Sequence, residues 1–331
     1  MYIVSTYPIA VLLCFVTMLC WGSWANTQKL AEKSWRFELF YWDYVIGIVL
    51  MSVLFAFTMG SIGEQGRSFI PDLRQADFVN LRNAFVGGIV FNAANILVVA
   101  AIAVAGMAVA FPVGIGIALV LGVLINYLAK PQGNAGWLFL GVALITIAIV
   151  LDAFAYRKKA SQSKKVPTKG IVLAVSGGVL MALFYRFVAS SMASDLVNPE
   201  AGFLSPYTAV FIFAIGILVS NFAFNTILMK RPVEGDPVFF KDYFSGKIKE
   251  HLTGVAGGII WCIGMSFSII ASGKAGFAVS YGLGQGATLV AALWGVFIWK
   301  EFKQVKGASG LLLAMFLLFF IGIGMLIYAG M

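Results

Sequence analysis

The chain has 331 residues, of which 61% are hydrophobic and only 11% are charged, and its mean hydropathy is +0.94. Soluble globular proteins carry about 25% charged residues, so this composition excludes an ordinary soluble protein. The net charge of +9 does not indicate nucleic-acid binding, because the basic residues lie in the connections between apolar runs. That distribution is typical of membrane proteins.

Apolar runs follow one another along the chain, each about long enough to cross a bilayer core as a helix. We place them at 8–27, 39–60, 78–103, 107–128, 136–155, 170–192, 206–229, 252–271, 276–299 and 308–329. The predicted fold is therefore all-α and integral to a membrane, with about ten transmembrane helices. Very short connections near 104–106 and 272–276 predict tight helical hairpins. We interpret the first run as an uncleaved span, since no basic region precedes it.

Lysine and arginine residues are distributed unequally between the two predicted sides. The connections that follow odd-numbered runs hold 17 of them, and the connections that follow even-numbered runs hold 5. The richer side is predicted to be cytoplasmic, which places both termini outside. We expect a multi-pass protein of the cell (inner) membrane, with anionic lipid against its basic surface.

The two halves of the sequence repeat with an offset of 170 residues. This offset places Phe91 on Trp261 and Gly114 on Gly284. We predict a first five-helix repeat at 1–156, a basic cytoplasmic linker at 157–169 and a second five-helix repeat at 170–331. An odd number of spans in each half gives the halves opposite orientations. Such inverted repeats are typical of secondary transporters, whose solute sites lie near the midplane.

The sequence provides little for catalysis. Three cysteines lie inside apolar runs without metal or redox spacing, and His251 is the only histidine. We expect His251 to have a structural or interfacial role. A membrane enzyme would need a nucleophile with its base or a metal cluster. We predict no enzyme activity and no cofactor.

Two groups in the first half could bind a solute. Trp21 and Trp24 are spaced to share a helical face and could stack on a planar ring or a sugar, or could belong to the interfacial aromatic belt. Asn92 and Asn95 could bind a neutral solute, because a carboxamide both donates and accepts hydrogen bonds. They could equally join neighbouring helices.

Among the charged residues within the predicted spans, Asp43 and Arg186 are candidates for a role in transport. Asp43 could take up and release a proton and so couple transport to a proton gradient, or it could be a hydrated acid at a helix start. Arg186 lies about 16 residues into its run. It could hold a carbonyl or carboxylate of the solute, form an ion pair, or extend to the interface. The second half adds candidate solute-binding residues of mixed chemistry, namely Tyr207, Trp261, Tyr281 and Gln285.

Several short motifs, in order along the chain, carry a family resemblance. They are Trp21-Gly22-Ser23-Trp24, Tyr41-Trp42-Asp43-Tyr44, Phe57-Thr58-Met59-Gly60-Ser61-Ile62-Gly63, Ala84-Phe85-Val86-Gly87-Gly88, Gly106-Met107-Ala108-Val109 and Pro206-Tyr207-Thr208-Ala209. With these motifs the chain resembles the ureide permease family and its bacterial glucose/ribose porter relatives, within the drug/metabolite transporter superfamily. The resemblance implies ten helices in two inverted five-helix repeats. It also implies uptake, usually proton-coupled, of ureides such as allantoin, or of uracil and related heterocycles.

The sequence thus predicts a secondary transporter that imports a small polar neutral solute by proton symport, as a monomer or homodimer. A sugar permease is the alternative, and a metabolite exporter or a channel follows. The linker at 157–169 has no phosphate-binding G-x-x-x-x-G-K-[ST] motif, so nucleotide-linked regulation is not predicted.

Overall fold

The computed structural model describes residues 1–31, 35–105, 110–159, 167–233, 235–303, 305 and 307–331, and these residues form helices and short connections without a strand. Gly106 of the first predicted hairpin, the Gly106–Val109 motif and linker residues 160–166 lie outside the described residues. The helices are α1 Tyr7–Ser23, α2 Asn26–Leu30, α3 Phe37–Phe57, α4 Phe69–Gln75, α5 Phe78–Ala105, a π-helix Phe111–Ile115, α6 Gly116–Ala129, α7 Ala135–Lys159, α8 Thr168–Ser190, α9 Pro206–Lys230, α10 Phe240–Phe244, α11 Ile248–Ala275, α12 Phe277–Gly284, α13 Ala287–Leu293, a second π-helix Trp294–Ile298 and α14 Ala308–Ala329.

In the described part of the chain, eight helical segments are long and apolar enough to cross a membrane, and Phe277–Ile298 counts as one of them. Two shorter apolar helices, Tyr7–Ser23 and Val113–Ala129, correspond to the first and fourth predicted runs. Large apolar side chains such as Leu313, Leu317 and Phe320 are exposed on the outside of the bundle. Only a hydrocarbon environment accommodates such a surface without cost, so the chain is a multi-pass membrane protein.

Both chain termini lie at one end of the bundle, which we call the terminal end. The amino group of Met1 donates to the carbonyl of Gln65 at 2.8 Å, in the connection between α3 and α4. The backbone N–H of Asn134, between α6 and α7, donates to the carbonyl of Ala329 at 2.7 Å.

The opposite end, which we call the linker end, gathers basic residues around one acid. Glu301 forms ion pairs with Lys29 at 3.2 Å and with Lys159 at 2.7 Å. Partial burial opposes the charged form of Glu301, but the two lysines outweigh it and lower the pKa of Glu301 below its ordinary value. The ends of α2 and α7 therefore lie together with the connection that precedes α14.

Glycine brings two pairs of helices into close contact. A Cβ atom on Gly258 of α11 would lie under 3.0 Å from the carbonyl oxygen of Tyr44 in α3, and one on Gly88 of α5 would lie equally close to the carbonyl of Phe213 in α9. In a membrane, small residues allow this approach, and close packing then holds the helices together. The two crossings are alike: α11 packs against α1 and α3, while α5 packs against α8 and α9.

Three predicted spans are less regular than expected. The first span ends at Ser23 and resumes as α2. At this break Thr27 Oγ1 donates a hydrogen bond to the backbone carbonyl of Trp24 at 2.7 Å. The fourth begins with the π-helix at Phe111–Ile115, where Pro112 supplies no N–H. The ninth is interrupted at Gln285, between α12 and α13. The second predicted hairpin is confirmed, with Gly276 at φ 80° between α11 and α12.

Candidate solute-binding cavity

A cavity of about 300 Å³ extends from the middle of the bundle to the linker end. Its inner part is lined by Phe91, Phe184 and Trp261, and its outer part by Gln28 and Phe37. Each of the three irregular spans contributes to the wall. Interrupted helices are a common way of placing side chains and backbone groups at a transport site.

Aromatic rings form the inner wall. The rings of Trp21 and Trp261 stack with centroids 5.9 Å apart and an interplanar angle of 14°, and Phe91 packs on Trp261 at 4.3 Å. The indole nitrogen of Trp21 donates to the backbone carbonyl of Trp261 at 3.3 Å, which fixes the pair. These flat, rigid surfaces suit a planar or alicyclic ring.

The polar groups of the wall are neutral. They belong to Gln28, Asn95, Gln285 and Thr288, and no charged residue lies among the described residues that line the cavity. Thr288 Oγ1 donates to the backbone carbonyl of Gln285 at 3.0 Å, which covers the carbonyl left free at the break in the ninth span. Neutral amides can recognise a neutral solute without compensating a buried charge.

Five of the nine predicted solute-binding residues line this cavity: Trp21, Trp24, Asn95, Trp261 and Gln285. The structure brings them together from α1, α5, α11 and the α12–α13 break. Composition alone did not single out Gln28, although it is a polar residue directly after the first span.

The other four predicted residues lie away from the cavity. Asn92 is fully buried behind the wall. The hydroxyl of Tyr281 donates to the carbonyl of Ala118 at 3.1 Å between helices. Tyr207 donates to the carbonyl of Tyr2 at 3.0 Å at the terminal end, and Arg186 is half-buried near the end of α8.

A buried hydroxyl layer separates the cavity from the terminal end. Tyr185 Oη lies 3.0 Å from Ser268 Oγ, and Ser280 Oγ donates to the carbonyl of Ser268 at 2.6 Å. Tyr185, Ser268 and Ser280 are fully buried. Their hydrogen bonds join α8, α11 and α12.

Asp43 lies outside the cavity, in a separate cluster near the linker end. Its carboxylate accepts from Tyr243 Oη at 2.7 Å, and both of its oxygens lie 3.0 Å from His251 Nδ1. Trp35 covers the imidazole, with ring centroids 4.9 Å apart. Burial and the adjacent carboxylate raise the pKa of the Tyr243 hydroxyl. This hydroxyl therefore stays protonated and donates a hydrogen bond to Asp43. The short α10 and the single histidine thus converge on the predicted coupling acid.

A smaller cavity of about 180 Å³ lies beside the first and shares Phe37 and Val99 with it. Its charged groups are the Arg36–Glu38 ion pair, with a nitrogen–oxygen distance of 2.6 Å. The guanidinium also donates to the backbone carbonyl of Asp236. This cavity therefore presents paired charge, in contrast to the neutral wall of the larger one.

Comparison with known proteins places this architecture in a family. The family model described as ureide permease matches residues 40–169 and 162–329. Ureide permease 1 of Arabidopsis thaliana is 23% identical, covering 98% of both chains, and ureide permease 2 of the same plant is 25% identical, covering 97% of this chain and 96% of the relative. A solved crystal structure that is 18% identical, covering 97% of this chain and 96% of its own, has the same fold with a TM-score of 0.66. The two family matches together span most of the chain, and the protein belongs to the ureide permease family.

Proposed function

We propose that this protein imports a small neutral ureide or nucleobase-type heterocycle, such as allantoin or uracil, by proton symport. The observation that carries the proposal is the cavity itself, whose wall combines stacked indoles with neutral carboxamides. A cyclic ureide is flat or nearly so and carries alternating N–H and C=O groups. An aromatic face and carboxamides match this pattern.

The arrangement of helices supports two inverted five-helix repeats. The α11 crossing with α3 and the α5 crossing with α9 use glycine in the same way, and the residues paired by the 170-residue offset, Phe91 and Trp261, touch each other at the inner wall. Residues near a two-fold axis between repeats meet their counterparts in this manner. The solute site then lies where the repeats meet.

The positive-inside rule assigns the linker end to the cytoplasm and both termini to the outside. In that orientation the cavity opens to the cytoplasm and the hydroxyl layer closes it from outside. The structure then corresponds to the state that releases solute into the cell.

Asp43 is the acid that we assign to proton coupling, with His251 and Tyr243 as its partners. The cluster joins α3, α10 and α11. Helices α3 and α11 cross at Gly258, and Trp261, one turn further along α11, lines the cavity. A change of protonation at Asp43 can therefore bias the packing of helices that hold the solute.

The names of the relatives favour a ureide over a sugar. A sugar would also stack on indole and bond to carboxamides, so the test must compare both. Uptake of labelled allantoin, uracil and glucose into proteoliposomes, with and without an inward proton gradient, is the experiment. We expect gradient-stimulated uptake of a heterocycle and background uptake of glucose. Accumulation of glucose alone would establish the sugar alternative and contradict this proposal.

A further inference from the structure

Behind the cavity wall, four side chains form a continuous chain of hydrogen bonds, which we call the amide relay: Ser220, Asn92, Tyr41 and Asn95. Asn92 Nδ2 donates to Ser220 Oγ at 2.9 Å, Tyr41 Oη donates to Asn92 Oδ1 at 2.9 Å, and Asn95 Nδ2 donates to Tyr41 Oη at 3.1 Å. The members come from α3, α5 and α9. Only Asn95 reaches the cavity.

The direction of the relay is fixed at its buried end. The nitrogen of Asn92 also faces the backbone carbonyl of Ile217 at 3.3 Å, and a carbonyl can only accept a hydrogen bond. The hydroxyl of Ser220 donates its single hydrogen to backbone carbonyls, with Gly216 at 2.8 Å. A reversed Asn92 would place its oxygen against the Ile217 carbonyl, so the amide nitrogen must face α9.

The orientation of the Asn92 amide determines the hydrogen-bond direction at Tyr41 and then at Asn95. Asn92 Oδ1 must face Tyr41 and take its only hydroxyl hydrogen. The Tyr41 oxygen is then an acceptor, and the NH₂ group of Asn95 turns toward it. Asn95 Oδ1 is left without a partner among the described residues and remains on the cavity side. Asn95 is buried to all but 7% of its surface, and it lines the cavity.

We infer that the amide relay makes Asn95 a fixed hydrogen-bond acceptor, so that the transporter selects solutes with an N–H group at this point of the cavity. The inference rests on the proposed function and adds to it a rule of selectivity. Tyr41 and Asn92 are positioning residues, because they act through Asn95. A solute without an N–H group would leave the Asn95 carbonyl without a hydrogen bond. The free-energy penalty of an unpaired buried carbonyl exceeds the net free energy that the hydrogen bond contributes when the donor is present.

Adjacent Tyr44 provides a matched control. It lies on α3, is fully buried like Tyr41, and its hydroxyl has no hydrogen-bond partner among the described residues. Tyr41→Phe and Tyr44→Phe therefore remove the same atom from neighbouring buried sites, and only the first breaks the relay.

The experiment compares transport of a carried heterocycle, uracil or allantoin, with transport of each of its N-methylated analogues in proteoliposomes. We expect the wild type and Tyr44→Phe to prefer the parent over at least one analogue by about tenfold or more in Vmax/KM, the loss expected for an unpaired buried acceptor. In Tyr41→Phe the Asn95 amide is free to turn, and the preference should fall to within about threefold. Asn92→Leu should give the same loss, because Tyr41 can then donate to Asn95.

An unchanged preference in folded Tyr41→Phe or in Asn92→Leu would overturn the inference. A wild type that carries the parent and every N-methylated analogue equally would also overturn it. A wild type that carries no heterocycle at all would remove the proposed function and the inference with it, and this result is seen before any variant is made.

Discussion

The two faces of α3 carry two kinds of buried polar chemistry. Tyr41 and Asp43 are two residues apart, about 200° around the helix, so their side chains point in nearly opposite directions. Tyr41 belongs to a neutral, directional relay that ends at the cavity. Asp43 belongs to an ionisable cluster with Tyr243 and His251, away from the cavity.

The difference suggests how one helix separates two tasks. A neutral relay can make solute binding selective without making it depend on pH, because none of its members changes charge near neutrality. A carboxylate beside an imidazole responds to pH and need not touch the solute. Selectivity and proton coupling are then alterable one at a time, which the following predictions use.

The largest effect is expected from Gly258→Ala. This substitution disturbs the packing of α11 against α3, and with it both the amide relay and the Asp43 cluster. The new methyl group would lie under 3.0 Å from the backbone carbonyl of Tyr44, and helix backbones cannot give way as a flexible side chain can. We expect a destabilisation of about 2 kcal/mol or more and loss of most folded protein, measured by size-exclusion yield and melting temperature. Gly310→Ala is the control, since a Cβ there meets no atom within 4 Å. Wild-type yield for Gly258→Ala would show that the crossing is not tight.

The next effect is expected from Asp43→Asn, which alters only the ionisable face. With the membrane potential held at zero, a gradient of one pH unit can support about tenfold accumulation per proton. The variant should lower this ratio to about one while exchange of solute at equal pH continues. Glu64→Gln, an exposed acid at the terminal end, should accumulate solute like the wild type. Retained accumulation in Asp43→Asn would remove Asp43 from the coupling mechanism. The preference against N-methylated analogues should be unchanged.

The smallest effect is expected from Tyr243→Phe. The Tyr243 hydroxyl stabilises the charged Asp43 carboxylate through a hydrogen bond of 2.7 Å. Without this donor the carboxylate takes up a proton more readily, so the pH of half-maximal uptake should rise. A hydrogen bond worth about 1 kcal/mol limits the shift to roughly one pH unit or less. Tyr328→Phe, at an exposed tyrosine, should not move the midpoint. A downward shift in Tyr243→Phe would contradict the assigned direction.

Particular residues show how far the sequence could predict the site. The carboxamides of Asn92 and Asn95 are equally good candidates in the sequence, yet in the structure only Asn95 lines the cavity, and Asn92 is buried behind it. Arg186 is evident from the sequence as a charged residue inside a span, but its position along the chain does not show whether it faces the cavity. His251 has no special pattern around it, and its contact with Asp43 joins residues 208 positions apart in sequence.

The amino-acid sequence is sufficient to predict an all-helical membrane protein, the approximate limits of its apolar helices and its family. These features depend on composition and periodicity along the chain, because the bilayer requires long apolar segments with internally satisfied backbones. Three properties follow only from the folded arrangement: which polar side chains share the cavity, which direction the amide relay takes and which groups surround Asp43. Those properties depend on the rotation and interruption of each helix and on contacts between distant segments, which packing in three dimensions sets.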